Sequence, residues 1–438
     1  MIPGPRCFVW LTVALLASLP ACTCGSKAST GGGAPAASSA RPAVSAPASA
    51  SAPAAPAVAC RQGDAWPLEG HDARRSGASA VCIEGPLRPA WRAVATTPVR
   101  ERPAAFEHVV ASATGLFAAG VRGKSSMLHA LNLDGSPRWE HDTRTDLHFA
   151  FWPIVTDTLA GINDDGTFFL DPQSGKMVHN LGLDSWGQMS TDGERLYWTN
   201  TWHVHGPNLY IAASSARAEP LWKASKYGGS APMDMMDDLG GVTLDNDTVF
   251  QVANYKFASI SGLAAFAPAT GQERWRRPAM PVGFVSAADG RLYGVERWQR
   301  ERRLVARSQR DGEVVWSTPV KGAQGASPVL AGGLAVVDTE PGAVVAVDAA
   351  TGQERWRAEM GAKHTTQVGH ETTLAAAAND TLVVTTGKEI ALLTLSTGQV
   401  RWRGPVADQP LHSPVLAGGR LYAIAGGEVL ALEGARAF

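Results

Sequence analysis

The chain has 438 residues, too many for one small domain and suited to one large repeat array or to two or three ordinary domains. Hydrophobic residues make up 45% and charged residues 18%, so most of the chain can bury a core. The 39 basic residues against 40 acidic ones give a net charge of −1, which excludes nucleic acid as a main partner, because phosphate binding rests on concentrated Lys and Arg.

Arg6 precedes an apolar run from Cys7 through Leu19 that has the length of a signal-peptide core and is too short for a bilayer span. The run ends in Leu19, Pro20, Ala21 and Cys22, which resembles the bacterial lipobox, where the Cys is diacylated and becomes the mature N-terminus. Residues 1–21 therefore read as a lipoprotein signal peptide and Cys22 as the lipidation site; an ordinary secretory peptide with an incidental Cys22 is the alternative. Thr23 rather than Asp follows, and the resemblance then implies the outer membrane. Residues 22–59 are almost wholly Ala, Ser, Pro, Thr and Gly and read as a disordered tether. Such a tether has an r.m.s. span of about 35 Å.

Of the five cysteines, Cys7 leaves with the signal and Cys22 carries lipid, while Cys24 is left over beside the membrane. Cys60 and Cys82 bracket the first ordered stretch, residues 60–86, and a disulfide between them suits an oxidising compartment. Two buried free thiols are the alternative.

From residue 87 to 438 the chain repeats. Four stretches align at a Gly with a Trp four residues later: Ala269–Trp275 (ATGQERW), Asp311–Trp316 (DGEVVW), Ala350–Trp356 (ATGQERW) and Ser396–Trp402 (STGQVRW). Weaker copies lie at Asp134–Trp139, at Ser174–His179 with His in the Trp slot, at Trp222 and at Trp91. Steps between slots run from 40 to 53 residues, a period that marks a solenoid or propeller. In the last unit, Ser413–Ala417, Arg420–Ala425 and Glu428–Leu432 alternate between Gly-Gly turns and read as three strands of a meander. Pro153, Pro328 and Pro414 are expected to open first strands, where Pro removes no needed ladder bond. Four antiparallel strands per unit predict an all-β fold, an eight-bladed β-propeller of four-stranded blades. Leu87–Val94, with Trp91, is the expected N-terminal strand that closes the last blade and removes its exposed edges. Seven blades result if the copies at His179 or Trp222 are misread.

The units Ala265–Trp275 (AFAPATGQERW) and Ala346–Trp356 (AVDAATGQERW) resemble the repeat of the PQQ-like propeller family. Trp66–Asp72 (WPLEGHD), followed by Arg75, Ser76 and Gly77, resembles a segment that often precedes such propellers in bacteria. The resemblance covers residues 60–438. It implies that Trp91, Trp139, Trp222, Trp275, Trp316, Trp356 and Trp402 dock between blades against the Gly-bearing turn of a neighbour.

The family implies two functions. One is a PQQ-dependent quinoprotein dehydrogenase, with the quinone on Ca²⁺ in the central channel. Those enzymes carry an adjacent Cys pair, and no two Cys are adjacent here; no haem-attachment CxxCH is present either. The other is a non-catalytic scaffold, since lipobox, tether and propeller together resemble the lipoprotein subunit of the bacterial outer-membrane β-barrel assembly machinery. The longer tether, the Cys60 and Cys82 pair and the WPLEGHD segment depart from that subunit.

Three local features add candidates. The longest step contains Met233, Asp234, Met235, Met236, Asp237 and Asp238, adaptable methionines with a charged rim that suit a binding loop; a solvated insertion is the alternative. His203 and His205 alternate as on a strand, without a third ligand for a metal. Glu296–Arg303 (ERWQRERR) is a basic run with Trp298, read as a solvated hairpin between blades or as an anionic-ligand patch. His108, His148 and His364 are candidates for the channel lining. The expectation is a monomeric, lipid-anchored outer-membrane propeller that acts as a protein-binding or ligand-binding scaffold, with envelope proteins as partners and a β-barrel assembly component as one candidate. No catalytic residue, metal site or cofactor is assigned, and PQQ and Ca²⁺ belong to the dehydrogenase alternative.

Overall fold

The computed structural model describes residues 59–95, 104–123, 125–143, 152–164, 166–180, 188–200, 208–213, 220–225, 241–253, 262–299, 301–323, 327–339, 342–361 and 373–435. Among them, thirty-two strands pair into eight four-stranded antiparallel sheets, the blades of a β-propeller. In chain order, sheet 1 is β2–β5 (residues 104–142), sheet 2 is β6–β9 (154–180) and sheet 3 is β10–β13 (189–225). Sheets 4 to 7 follow as β14–β17 (242–278), β18–β21 (281–319), β22–β25 (329–359) and β26–β29 (374–405). Sheet 8 joins β30–β32 (411–433) to β1 (Arg88–Val94), whose Arg92 pairs with Leu430 and Val94 with Glu428.

Residue choice explains the layering. The middle strands β23 (Leu334–Thr339) and β24 (Ala343–Asp348) are buried on both faces because a neighbouring sheet covers each side. They read as near-continuous apolar runs of small and β-branched residues. The fourth strand β25 (Glu354–Glu359) faces solvent on one side and alternates, with Trp356 on the covered face. First strands lie side by side around the axis: β14 beside β18, β18 beside β22, β22 beside β26, β26 beside β30, and β30 beside β2. Ile154 of β6 and Met189 of β10 share one core cluster.

Pro153 and Pro328 stand directly before β6 and β22, as expected. Pro414 does not open its strand. β30 begins at Leu411 and the pairing with β31 breaks between His412 and Val415. Ser413 there takes φ 56, so the imino residue sits in an irregularity where no ladder donor is needed.

The segment before β1 forms a collar. Its backbone bonds inner strands of successive sheets near their C-terminal ends: Trp66 with Ala111, Pro67 with Val155, Ala73 with Leu244, Arg74 with Ala287, Ser76 with Leu330, and Gly77 with Ala376. Leu68 packs with Met189 and Trp198 of sheet 3, and Ser79 Oγ donates to the Leu416 carbonyl of sheet 8. About one turn of chain thus visits every sheet at one mouth of the channel. Trp66, Leu68, Glu69 and Arg75 are buried there. A disulfide joins Cys60 to Cys82 and closes the loop containing the collar.

Candidate functional site

Six indoles share one geometry, and a seventh, Trp402, packs on a glycine without the full set. Trp91 of sheet 8 lies against Gly135 of sheet 1, Trp139 against Gly175 of sheet 2, and Trp222 of sheet 3 against Gly271 of sheet 4. Trp275, Trp316 and Trp356 lie likewise against Gly312, Gly352 and Gly398 of the next sheet. Each of these six donates its Nε1–H to a carbonyl of the facing turn, those of Leu133, Pro172, Pro268, Gln309, Ala349 and Leu395, at 2.8–3.1 Å. The ring fills the wedge between twisted sheets while its one polar atom is satisfied. A side chain at Gly352 would enter the ring, since its Cβ would lie 2.6 Å from Trp316 Cδ2, and φ there is +74°.

Trp402 of sheet 7 uses a glycine that the repeat alignment misses. The fourth strand of sheet 8 is supplied by the chain's beginning, so no turn leads from β32 into it. Gly85, just before β1, stands in that place, its Cβ position 2.6 Å from Trp402 Cγ. A glycine three residues ahead of an orphan strand is the only sequence signal. His179 holds the Trp slot of sheet 2, paired with Phe169 as Trp139 is with Ala130.

The collar carries two polar clusters, one buried and one half-buried. Arg75 Nη1 meets Glu69 Oε2 at 2.8 Å, its Nε donates to the Val242 carbonyl at 3.0 Å, and its guanidinium lies 4.5 Å over the Phe284 ring. His71 Nε2 meets Asp64 Oδ2 at 3.1 Å, and that oxygen also accepts from Ser79 Oγ and the Ala80 amide. Burial disfavours the imidazolium of His71, yet hydrogen bonds to Asp64 and Asp72 outweigh it and raise its pKa to about 9. For Asp64, burial pushes up while the bond from His71 and those from Ala80 and Ser79 pull further, to about 2. In sheet 1, Arg122 contacts His129 at 3.2 Å and Glu140 at 3.1 Å, and burial lowers His129 to about 4 against the pull of Glu140. The Arg75 cluster ties the collar to sheets 4 and 5, and the Arg122 cluster ties sheet 1 together.

The Glu296–Arg303 run forms a hairpin within sheet 5, not between blades. β19 (Arg291–Trp298) and β20 (Glu301–Ser308) are that sheet's middle strands, which continuous pairing from Arg291 to Trp298 holds in one sheet. Glu296 is not solvated; it is buried in a two-pronged pair with Arg307 at 2.6 and 2.9 Å. Trp298 is 42% exposed, and the Arg303 guanidinium lies 5.2 Å from its ring centre. A cavity of about 690 Å³ opens between this tip and the link from β17 to β18, lined by Pro278, Ala279, Met280, Trp298 and Arg303 among others. A second, of about 450 Å³, lies on the other flank with Arg302 and Lys321. The tip joins a second to a third strand, so it stands on the face opposite the collar, which bonds the far ends of the first strands.

The remaining candidates separate. His108 stacks on Trp152 with ring centres 4.7 Å apart. Cys22, Cys24, His148, His203, His205, Met233, Asp234, Met235, Met236, Asp237, Asp238 and His364 lie outside the described residues. Among the described residues no three His, Cys, Asp or Glu side chains converge as a metal site.

Residues 259–437 match the family described as outer membrane protein assembly factor BamB, a PQQ-like repeat family. Among solved structures, BamB from Moraxella catarrhalis is similar, with 15% identity, a TM-score of 0.57, and coverage of 80% of this chain and 99% of that one. A quinohemoprotein alcohol dehydrogenase from Pseudomonas putida HK5 is 12% identical with a TM-score of 0.63, covering 85% of this chain and 80% of its own. The computationally designed protein Ika8 is 11% identical with a TM-score of 0.55, covering 76% and 98%. At these identities the likeness is one of fold. No curated protein matches the sequence significantly.

Proposed function

We propose that the protein is a non-catalytic lipoprotein of the bacterial envelope, anchored through Cys22, whose propeller binds other envelope proteins and takes part in outer-membrane protein assembly. The observation that carries this reading is the match of residues 259–437 to the BamB family, whose described role is assembly. On this reading the eight sheets are the blades of one ring that β1 closes, a rigid body needing no partner to complete it. Because the collar occupies one mouth of the channel, partners meet the opposite face. The lipobox at Cys22 and the tether of residues 22–59 set that body off the membrane, with the outer membrane as its place.

A PQQ-dependent dehydrogenase is the second reading, favoured by fold similarity to the quinohemoprotein enzyme over 85% of this chain. A quinone held on Ca²⁺ needs converging oxygen ligands. Among the described residues no three His, Cys, Asp or Glu side chains converge to supply them.

Chemical crosslinking of native membranes, followed by recovery of the full-length chain, tests the scaffold. Reproducible recovery of an outer-membrane assembly component is expected. Recovery of none, together with dye reduction on an alcohol or sugar after addition of PQQ and Ca²⁺, would favour the enzyme. A Cys22→Ala variant is expected to leave the membrane fraction, and its retention there would contradict the anchor.

A further inference from the structure

The hairpin tip of sheet 5 has a build that blade packing does not require. β19 and β20 have eight residues each, and the middle strands of the other sheets have five to seven. Pairing with β18 (Pro281–Ala288) ends at Glu296, and the Arg297 amide donates to the Met280 carbonyl just before that strand, so Trp298 stands beyond it. Two cavities flank the tip, one of about 690 Å³ and one of about 450 Å³.

Charge is concentrated there. Arg297 and Arg303 line one cavity, Arg302 and Lys321 the other. Glu296 is engaged by the buried Arg307, which leaves Glu301 as the carboxylate lining both cavities beside Arg302, Arg303 and Lys321. The whole chain, by contrast, has a net charge of −1. Arg303 Nη2 donates to the Ser317 carbonyl at 3.1 Å. Arg302 is held by the Ala323 carbonyl. These guanidinium groups are steadied at one edge, which leaves donors for a planar acceptor.

We propose that this tip docks an acidic, extended segment of a partner protein. The proposal rests on the scaffold reading and names the chemistry of the partner. Carboxylates complement the cations, and the apolar wall of Pro278, Ala279, Met280 and Trp298 gives a peptide side chain something to pack on that a bare phosphate does not use. Arg303 shares the Trp298 face of the hairpin, while Arg302, the cross-strand partner of Arg297, is on the other face beside Lys321, so carboxylates spaced along one chain engage cations on both faces, whereas a single small anion engages one face. Trp and Arg are also among the residue types enriched where binding energy concentrates at protein interfaces.

The test uses the full chain and fluorescence anisotropy of a labelled short peptide of Glu, Leu and Gly. Its Gln-for-Glu counterpart, inorganic phosphate and phosphatidylglycerol vesicles serve as competing probes. The Glu peptide should bind, lose affinity with added salt, and weaken about tenfold or more in Arg303→Glu and in Trp298→Ala. Trp298→Phe should keep most of the affinity, and Arg310→Glu, on the opposite face, should keep all of it. Equal binding of the Gln peptide, unchanged affinity in Arg303→Glu, or binding of vesicles or phosphate without the Glu peptide would overturn the proposal. Should the membrane partner still be recovered with Trp298→Ala and Arg303→Glu, the scaffold stands and this docking site falls. Should the peptide bind as described while no membrane partner is recovered, the site stands and the scaffold falls.

Discussion

Gly352→Ala probes the indole wedge directly. The backbone there has φ +74°, and an added methyl would sit 2.6 Å from Trp316 Cδ2 and 2.7 Å from Cε3. A left-handed Ala costs about 1 kcal/mol. Displacing the ring weakens the bond from Trp316 Nε1 to the Ala349 carbonyl, 3.0 Å in the native protein, worth about 1 kcal/mol. Lost packing of the ring adds about 1 kcal/mol more, giving a total of about 3 kcal/mol. Gly333→Ala is the control within sheet 6: φ is +75° and nothing lies within 4 Å of the new methyl, so only the strain of about 1 kcal/mol applies. Urea unfolding followed by circular dichroism compares the two variants. Equal destabilisation by both would refute the wedge, as would full additivity of Gly352→Ala with Trp316→Ala, since coupled neighbours should combine to less than their sum.

Three further outcomes follow from the collar. Replacing Cys60 and Cys82 by Ser opens a loop with a sequence separation of 22 and should cost about 3 kcal/mol in the chain-entropy model, read as a lower urea midpoint and faster proteolysis of residues 60–86. Arg75→Met strands the buried Glu69 carboxylate and should destabilise by about 3–5 kcal/mol, while the double change with Glu69→Leu should recover much of it. His71 has its folded pKa raised from 6.5 to about 9, so its stabilising contribution is complete below pH 6.5 and is lost as pH rises to about 9. Thermal melts of the native chain should therefore fall over that interval more steeply than those of His71→Gln, and parallel curves would contradict the assignment.

The strands and the tryptophan slots were legible because both are local signals. Gly-Gly turns bound β31 (Arg420–Ala425) at the residues expected, and the Gly-to-Trp spacing marks the fourth strands of sheets 1, 4, 5, 6 and 7. The collar was not legible. Its bonds run from backbone groups of Ala73, Arg74 and Ser76 to Leu244, Ala287 and Leu330, and amides carry no side-chain signature. Gly85 was missed because it stands before β1, the fourth strand of sheet 8, which lies outside the repeat in sequence. The basic run looked solvated because sequence does not reveal that Arg307, outside the run, turns Glu296 inward. Lys321 joins the patch only through the folding of the β21–β22 link beside the hairpin.

Site-specific photocrosslinking in cells weighs the central claim, that partners meet the face opposite the collar. A photoreactive residue at Trp298 or at Lys321 should capture a protein whose crosslinked peptide is acid-rich, while one at Arg310 or Gln353, on the collar face, should capture none. Capture at Arg310 and Gln353 with silence at Trp298 and Lys321 would contradict it.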